Sequence, residues 1–206
     1  MRRLLHVPII HGNADMGSAL SRVRQAYIDD RGEDAWEASR RAIADFWQAI
    51  ETGMDNLCLD YATVRLYQDG LPVCGIEQKI VSDLAAQGIA NYRILLKLMD
   101  RGATLEGTED PELLRKEYGL IMSAIPGSAD KGQAGPREDA RHAELSRLLE
   151  QRDLFIARRI DASLLDGETG ILFLGALHGA VGKLPSTIRV MTLPELLQSS
   201  GALGEG

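Results

Sequence analysis

Ile171-Leu172-Phe173-Leu174-Gly175-Ala176-Leu177-His178-Gly179 is the stretch whose reading decides the fold. Four large apolar residues in succession read as a short strand buried on both faces, which a parallel sheet covered by helices provides. Gly175 lets the backbone turn or approach another group closely, and His178 follows three residues later. Ligands of open α/β sheets sit at the carboxyl ends of strands, so chemistry is expected here. The N-terminus repeats the pattern: the apolar run Val7-Pro8-Ile9-Ile10 is followed at once by His11-Gly12.

Outward from these two runs, helical and strand-like periods alternate. Leu4–Ile10 reads as the first strand, and Ser18 as the cap of a helix carrying Leu20, Val23 and Tyr27. A second helix from about Asp34 places Trp36, Ile43, Phe46, Trp47 and Ile50 at helical spacing. Ala62–Tyr67 reads as a strand stopped by the turn residues Gln68-Asp69-Gly70-Leu71-Pro72. One helix is expected from Glu77 to Met99, with Gly88 as its weak point. Ala103–Leu105 is a short strand, and Asp110-Pro111 opens the next helix. Ile125–Pro136 is a Gly/Pro/Ser-rich loop, followed by a long helix to Leu165. Ile188–Met191 is a last strand and Pro194 starts a short helix. The order predicts an α/β fold: a mainly parallel sheet of four to five short strands flanked by helices. Residues 1–200 form one domain and 201–206 a flexible tail.

Composition narrows the function. The 206 residues suit one domain with a sizeable core, and 45 % apolar with 26 % charged residues is ordinary for a soluble protein. A net charge of −7 argues against a broad nucleic-acid surface, which needs clustered Lys and Arg. No run approaches the ~20 apolar residues of a membrane span. Met1-Arg2-Arg3 opens like a signal peptide, but His6 and Pro8 break the apolar run. Two cysteines, Cys58 and Cys74, make no disulfide framework, and a cytoplasmic protein is expected.

The strand ends collect the candidate residues: His11 and Asp15 from the first, Gln68 and Asp69 from the second, Glu106 and Glu109 from the third, and His178 from the fourth. Two imidazoles with carboxylates suit a divalent transition metal such as Zn, Mn or Co. Such an ion makes a hydroxide nucleophile near neutral pH. His11, His178 and Glu106 are the expected metal ligands. Glu106 or Glu109 is the expected general base, and Asp15 and Asp69 are expected to contact substrate. Arg152 has Leu148, Leu149, Phe155 and Ile156 as helical neighbours, so it lies on a buried stripe and needs an anionic partner. That partner is a catalytic carboxylate or substrate anion in one reading, and Glu106 or Asp153 in a structural ion pair in the other. Dinucleotide, P-loop, GxSxG and HExxH signatures do not occur.

Arg152-Asp153-Leu154-Phe155-Ile156-Ala157-Arg158-Arg159-Ile160, with Gly170–His178 after it, resembles the TraB/PrgY/GumN-like proteins, Tiki-type metalloproteases among them, within the erythromycin-esterase/ChaN-like fold. In that family a helical Arg-Asn or Arg-Asp pair precedes an apolar strand ending Gly-x-x-His. The resemblance implies an α/β fold with its active site at strand ends and metal-dependent peptide hydrolysis, with Gly175, His178 and Arg152 at the family's positions. The family's usual first Gly-x-x-His has no counterpart before His11. The leading expectation is therefore a metal-assisted hydrolase of a peptide or ester-like bond in a small molecule or peptide. The alternatives are a non-catalytic protein binding an anion or a haem-like ligand in the same pocket, and a domain whose apolar helices form a homodimer.

Overall fold

The structure is a computed structural model that describes residues 1–9, 20–124 and 134–195. Five strands form one sheet: β1 (Arg2–Ile9), β2 (Val64–Gln68), β3 (Thr104–Leu105), β4 (Thr169–Gly175) and β5 (Ile188–Met191). Their order is β3-β2-β4-β1-β5, and every pairing is parallel. The α/β fold expected from the sequence is the fold observed.

β4 lies between β2 and β1, and all seven of its residues are buried. That burial explains why Ile171–Leu174 carries no polar alternation. Side chains leave β4 alternately to two cores. Ile171 and Phe173 join Leu5, Val7, Ile9 and Leu66 in the larger one. It is completed by α2 (Glu33–Asp55), α3 (Glu77–Ala86) and α4 (Ala90–Asp100), through Trp47, Ile50, Met54, Val81, Ile94, Leu95 and Leu98. Leu172 and Leu174 face the other way, with Leu4 and Tyr67, onto Ile156 and Ile160 of the long helix α6 (Ala134–Ser163). The remaining helices are α1 (Leu20–Arg31), which packs on α2, and α5 (Pro111–Ala124), which packs on α6.

Two expectations change. The single helix over 77–99 is two helices, broken where Gly88 adopts φ +84°. The apolar period runs on through the break because both helices cover the same core, so periodicity alone does not reveal it. The long helix starts at Ala134, inside the expected 125–136 loop. Residues 125–133 of that loop lie outside the described residues, as do the 201–206 tail and most of the short helix after Pro194. Among the described residues, no helix is long and apolar enough to cross a membrane.

Candidate functional site

The site is assembled by two turns that zip together at the carboxyl ends of β2 and β3. The Gln68 N–H donates to Thr108 Oγ1 at 2.9 Å, and the Thr108 and Glu109 N–H groups donate to the Leu71 carbonyl at 2.9 and 3.0 Å. The Val73 N–H returns a bond to the Glu109 carbonyl at 2.8 Å. The Asp69 N–H donates to the Phe173 carbonyl at 2.9 Å, extending the β2–β4 ladder by one residue. Asp69 and Glu109 are thereby fixed beside each other, over the end of β4. Asp110 then caps α5 as its sequence predicts, its Oδ1 accepting from the Glu112 and Leu113 N–H groups at 2.7 and 3.2 Å.

α6 brings Arg152 against this pair, buried as its helical neighbours require. Its Nε donates to Glu109 Oε2 at 2.5 Å and its Nη2 to Glu109 Oε1 at 2.8 Å and Asp69 Oδ1 at 2.9 Å. Its Nη1 donates to both oxygens of Glu117, on α5, at 2.7 and 2.6 Å. A guanidinium has five N–H donors, and all five are spent on carboxylates. Arg152 therefore orients carboxylates and retains no N–H for a substrate anion or oxyanion. The ion-pair partners expected from sequence, Glu106 and Asp153, are not the ones it takes.

Asp153, the next residue of α6, holds His178 instead. Its Oδ1 lies 2.6 Å from His178 Nδ1, and its Oδ2 accepts the Gly179 N–H at 2.8 Å. Nδ1 is then the protonated nitrogen of the neutral imidazole and Nε2 is freed for chemistry. His178 Nε2 lies 3.5 Å from Asp69 Oδ1. The other Asp69 oxygen accepts the Gly175 N–H at 2.9 Å, and Glu109 Oε1 accepts the Gly70 N–H at 2.7 Å. The side chains of Asp69, Asp153, Arg152 and His178 are all less than a tenth exposed, and Glu109 is fully buried.

Four carboxyl groups, from Asp69, Glu109, Glu117 and Asp153, thus face one guanidinium and one imidazole. Burial pushes the Glu109 carboxyl above its ordinary range, and Arg152 only partly opposes it. Burial would also raise Asp69, but the hydrogen bonding and charge of His178, with Arg152, outweigh it and hold Asp69 below the usual carboxylate range. Burial lowers His178, yet Asp69 and then Asp153 reverse that and raise it. Glu109 and His178 thus bind their protons more tightly than free groups do, and Asp69 less tightly.

The ligand atoms of Asp69, Glu109 and His178 lie within 4.8 Å of one another, so these three could hold a metal ion. The sequence pointed to Glu109, Arg152, Asp69 and His178, and the structure brings them together. Glu106 is not in the group: its carboxylate pairs with Arg65 and Arg159, the latter bond 2.8 Å long, and does not join the ligand atoms of Asp69, Glu109 and His178. His11 and Asp15 lie outside the described residues. Sequence reasoning missed Asp153 as the partner of His178, although Leu149, Ile156 and Ala157 flank it on the helix and marked it as buried. Glu117 gave no such signal, standing on an amphipathic and partly exposed helix.

Comparison with known protein families, curated proteins and solved structures finds no match for this chain.

Proposed function

We propose that the protein is a metal-assisted hydrolase of a peptide or ester-like bond, with its centre at Asp69, Glu109 and His178. One observation carries the reading: the 3.5 Å between His178 Nε2 and Asp69 Oδ1. It is long for a hydrogen bond between two charged groups. It matches the ligand-to-ligand edge, about 3.4 Å, of a tetrahedral ion with bonds of about 2.1 Å. The surplus of carboxyl groups over cationic side chains supports the same reading, because a divalent cation would offset that negative charge.

A bound Zn, Mn or Co ion supplies Lewis acidity and lowers the pKa of water. The protein's own groups do the rest. Asp153 fixes the imidazole so that Nε2 faces the centre. Arg152 holds Asp69 and Glu109 in place through a rigid planar fork. Glu109, held by Arg152 and by the Gly70 N–H, would be a ligand of that ion beside Asp69 and His178. The resemblance of Arg152–Ile160 and Gly170–His178 to Tiki-type proteins supports the same chemistry. His11, two residues after the last described residue of β1, is proposed as a further ligand on the sequence alone.

The test is a titration of the metal-free protein with Zn, Mn and Co. Stoichiometric binding with proton release, abolished in His178→Ala and Asp69→Asn and weakened in His11→Ala, supports the reading. Metal-free protein that hydrolyses peptides or esters in the presence of chelator supports a second one, in which the Asp153–His178 pair acts as general base alone. The 2.6 Å contact of Asp153 Oδ1 with His178 Nδ1 favours that second reading, since it leaves Nε2 as the basic nitrogen of the neutral ring. A non-catalytic anion or haem-like ligand draws less support, because Arg152 has no donor left to hold it.

A further inference from the structure

β3 leaves β2 early, and a side chain takes up the rung that is lost. The Glu106 N–H donates to the Leu66 carbonyl at 2.9 Å, the last regular bond of that pairing. An evenly spaced parallel ladder would continue with the Gln68 N–H donating to the Glu106 carbonyl. The Thr108 hydroxyl stands within that bond instead. Its Oγ1 accepts the Gln68 N–H at 2.9 Å and donates to the Glu106 carbonyl at 3.2 Å. Thr108 is fully buried, so this one hydroxyl joins both strand ends in the interior.

The inserted hydroxyl lies where the site begins. Gln68 immediately precedes Asp69, and Thr108 immediately precedes Glu109. Beyond it the Thr108 and Glu109 N–H groups turn to the Leu71 carbonyl, and Glu109 Oε1 takes the Gly70 N–H. A closed rung would draw Glu106 toward Gln68 and shift the backbone that bears Glu109. The bridge needs a group that accepts and donates at once, which a hydroxyl does and an alkyl group does not. Valine in its place would set a methyl where the hydroxyl stands. The N–H and the carbonyl would then be unpaired, with no room for a water to bridge them.

We infer that Thr108 is a positioning residue: its hydroxyl, set between the ends of β2 and β3, fixes the separation at which Asp69 and Glu109 meet Arg152 and a metal ion. The inference rests on the reading of Asp69, Glu109 and His178 as a metal centre. It adds a residue that touches neither the ion nor the substrate. Groups that hold metal ligands in place typically matter about 10–100-fold in metal affinity.

The test compares Thr108→Val and Thr108→Ser with wild type in two measurements: the Arg152 Nε–H resonance of metal-free, isotope-labelled protein, and Zn affinity. The wild-type resonance reports the 2.5 Å bond to Glu109. Thr108→Val is expected to move it toward the position of a free guanidinium and to weaken Zn binding by ~10–100-fold. Thr108→Ser keeps the hydroxyl and is expected to retain the resonance and to bind Zn within about threefold of wild type. An unmoved resonance or unchanged Zn affinity in Thr108→Val, or a Thr108→Ser that behaves like it, overturns the inference. If Thr108→Val does not fold, amide exchange of the Gln68 N–H decides. Protection equal to that of the other β2 N–H groups is expected in wild type and Thr108→Ser, and free exchange in either overturns the inference. Wild type that binds no Zn defeats the metal-centre reading instead, while the resonance still decides whether Thr108 sets Glu109 against Arg152.

Discussion

Arg152 and Asp153 are neighbours in the chain, and between them they hold both sides of the site. Arg152 gathers the carboxylates of the β2 and β3 turns, and Asp153 fixes the imidazole that follows β4. One helical step of about 100° separates them, so a single rigid element sets the distance between the acidic wall and His178.

Removing Arg152 should cost more than removing any of its partners. Arg152→Met leaves two buried carboxylates and one partly buried one without their cation. Breaking a buried ion pair from one side typically costs about 3–5 kcal/mol. Urea unfolding should show a loss of that size, with Arg152→Lys recovering only part of it, because an ammonium cannot span three carboxylates in one plane. A loss below ~1 kcal/mol would mean the network is energetically idle.

Asp153→Asn should leave the fold intact and retune His178. The amide can still accept the Gly179 N–H but no longer bears the charge that favours the imidazolium. The His178 pKa, followed by NMR of the ring protons, should fall relative to wild type. If the protein is the proposed hydrolase, kcat should drop by ~10²–10⁴-fold, the range of general acid–base assistance. An unchanged His178 titration would remove Asp153 from the site.

Stability should depend on pH through opposing groups. The folded-state pKa of His178 lies above its ordinary 6.5, so its contribution is fully present below that value and fades as pH rises through the folded pKa. Glu109 is raised from 4.5, so its contribution is likewise present at low pH and is lost as the folded pKa is passed. Asp69 is lowered from 3.8, so its contribution is present above that value and disappears as pH falls through the folded pKa. Urea unfolding from acid to alkaline pH should therefore peak between the two limits. In His178→Gln the decline above pH 6.5 should flatten, and an identical profile would assign that decline elsewhere.

Gly107→Ala should disturb the site from outside it. A Cβ at Gly107 would lie 2.8 Å from the Val73 Cα and 3.1 Å from the Pro72 carbonyl oxygen, so the turn bearing Glu109 must shift. Overpacking of this kind costs about 1–3 kcal/mol, and Arg152 would lose alignment with Glu109. Thermal unfolding and metal affinity should fall together. A variant with only one of the two effects would show that the β2 and β3 turns are not coupled.

The strands and most helices were legible because burial imprints a period on the chain, as in the unbroken apolar run of β4 and the apolar neighbours of Arg152. The site was legible only in part. Asp69 stands in Gln-Asp-Gly-Leu-Pro, which reads the same in any solvated turn, and only the approach of α6 makes it a buried anion. Glu106 and Glu109 leave one strand three residues apart in a turn without helical period. Sequence therefore could not say which would face Arg152 and which would join Arg65 and Arg159. The pairing of His178 with Asp153 depends on how α6 lies across the sheet, which no local pattern encodes.

The place of β4 in the strand order has a consequence for synthesis. β1 pairs with β4 and β5 alone, and β2 is joined to β1 only through β4. A ribosome must therefore translate past Gly175 before the N-terminal strand can find either neighbour. Until then the nascent chain carries an unpaired β1 and, apart from it, β2 with β3 as its one available neighbour, and release of the polypeptide before that point leaves a product that cannot close its sheet.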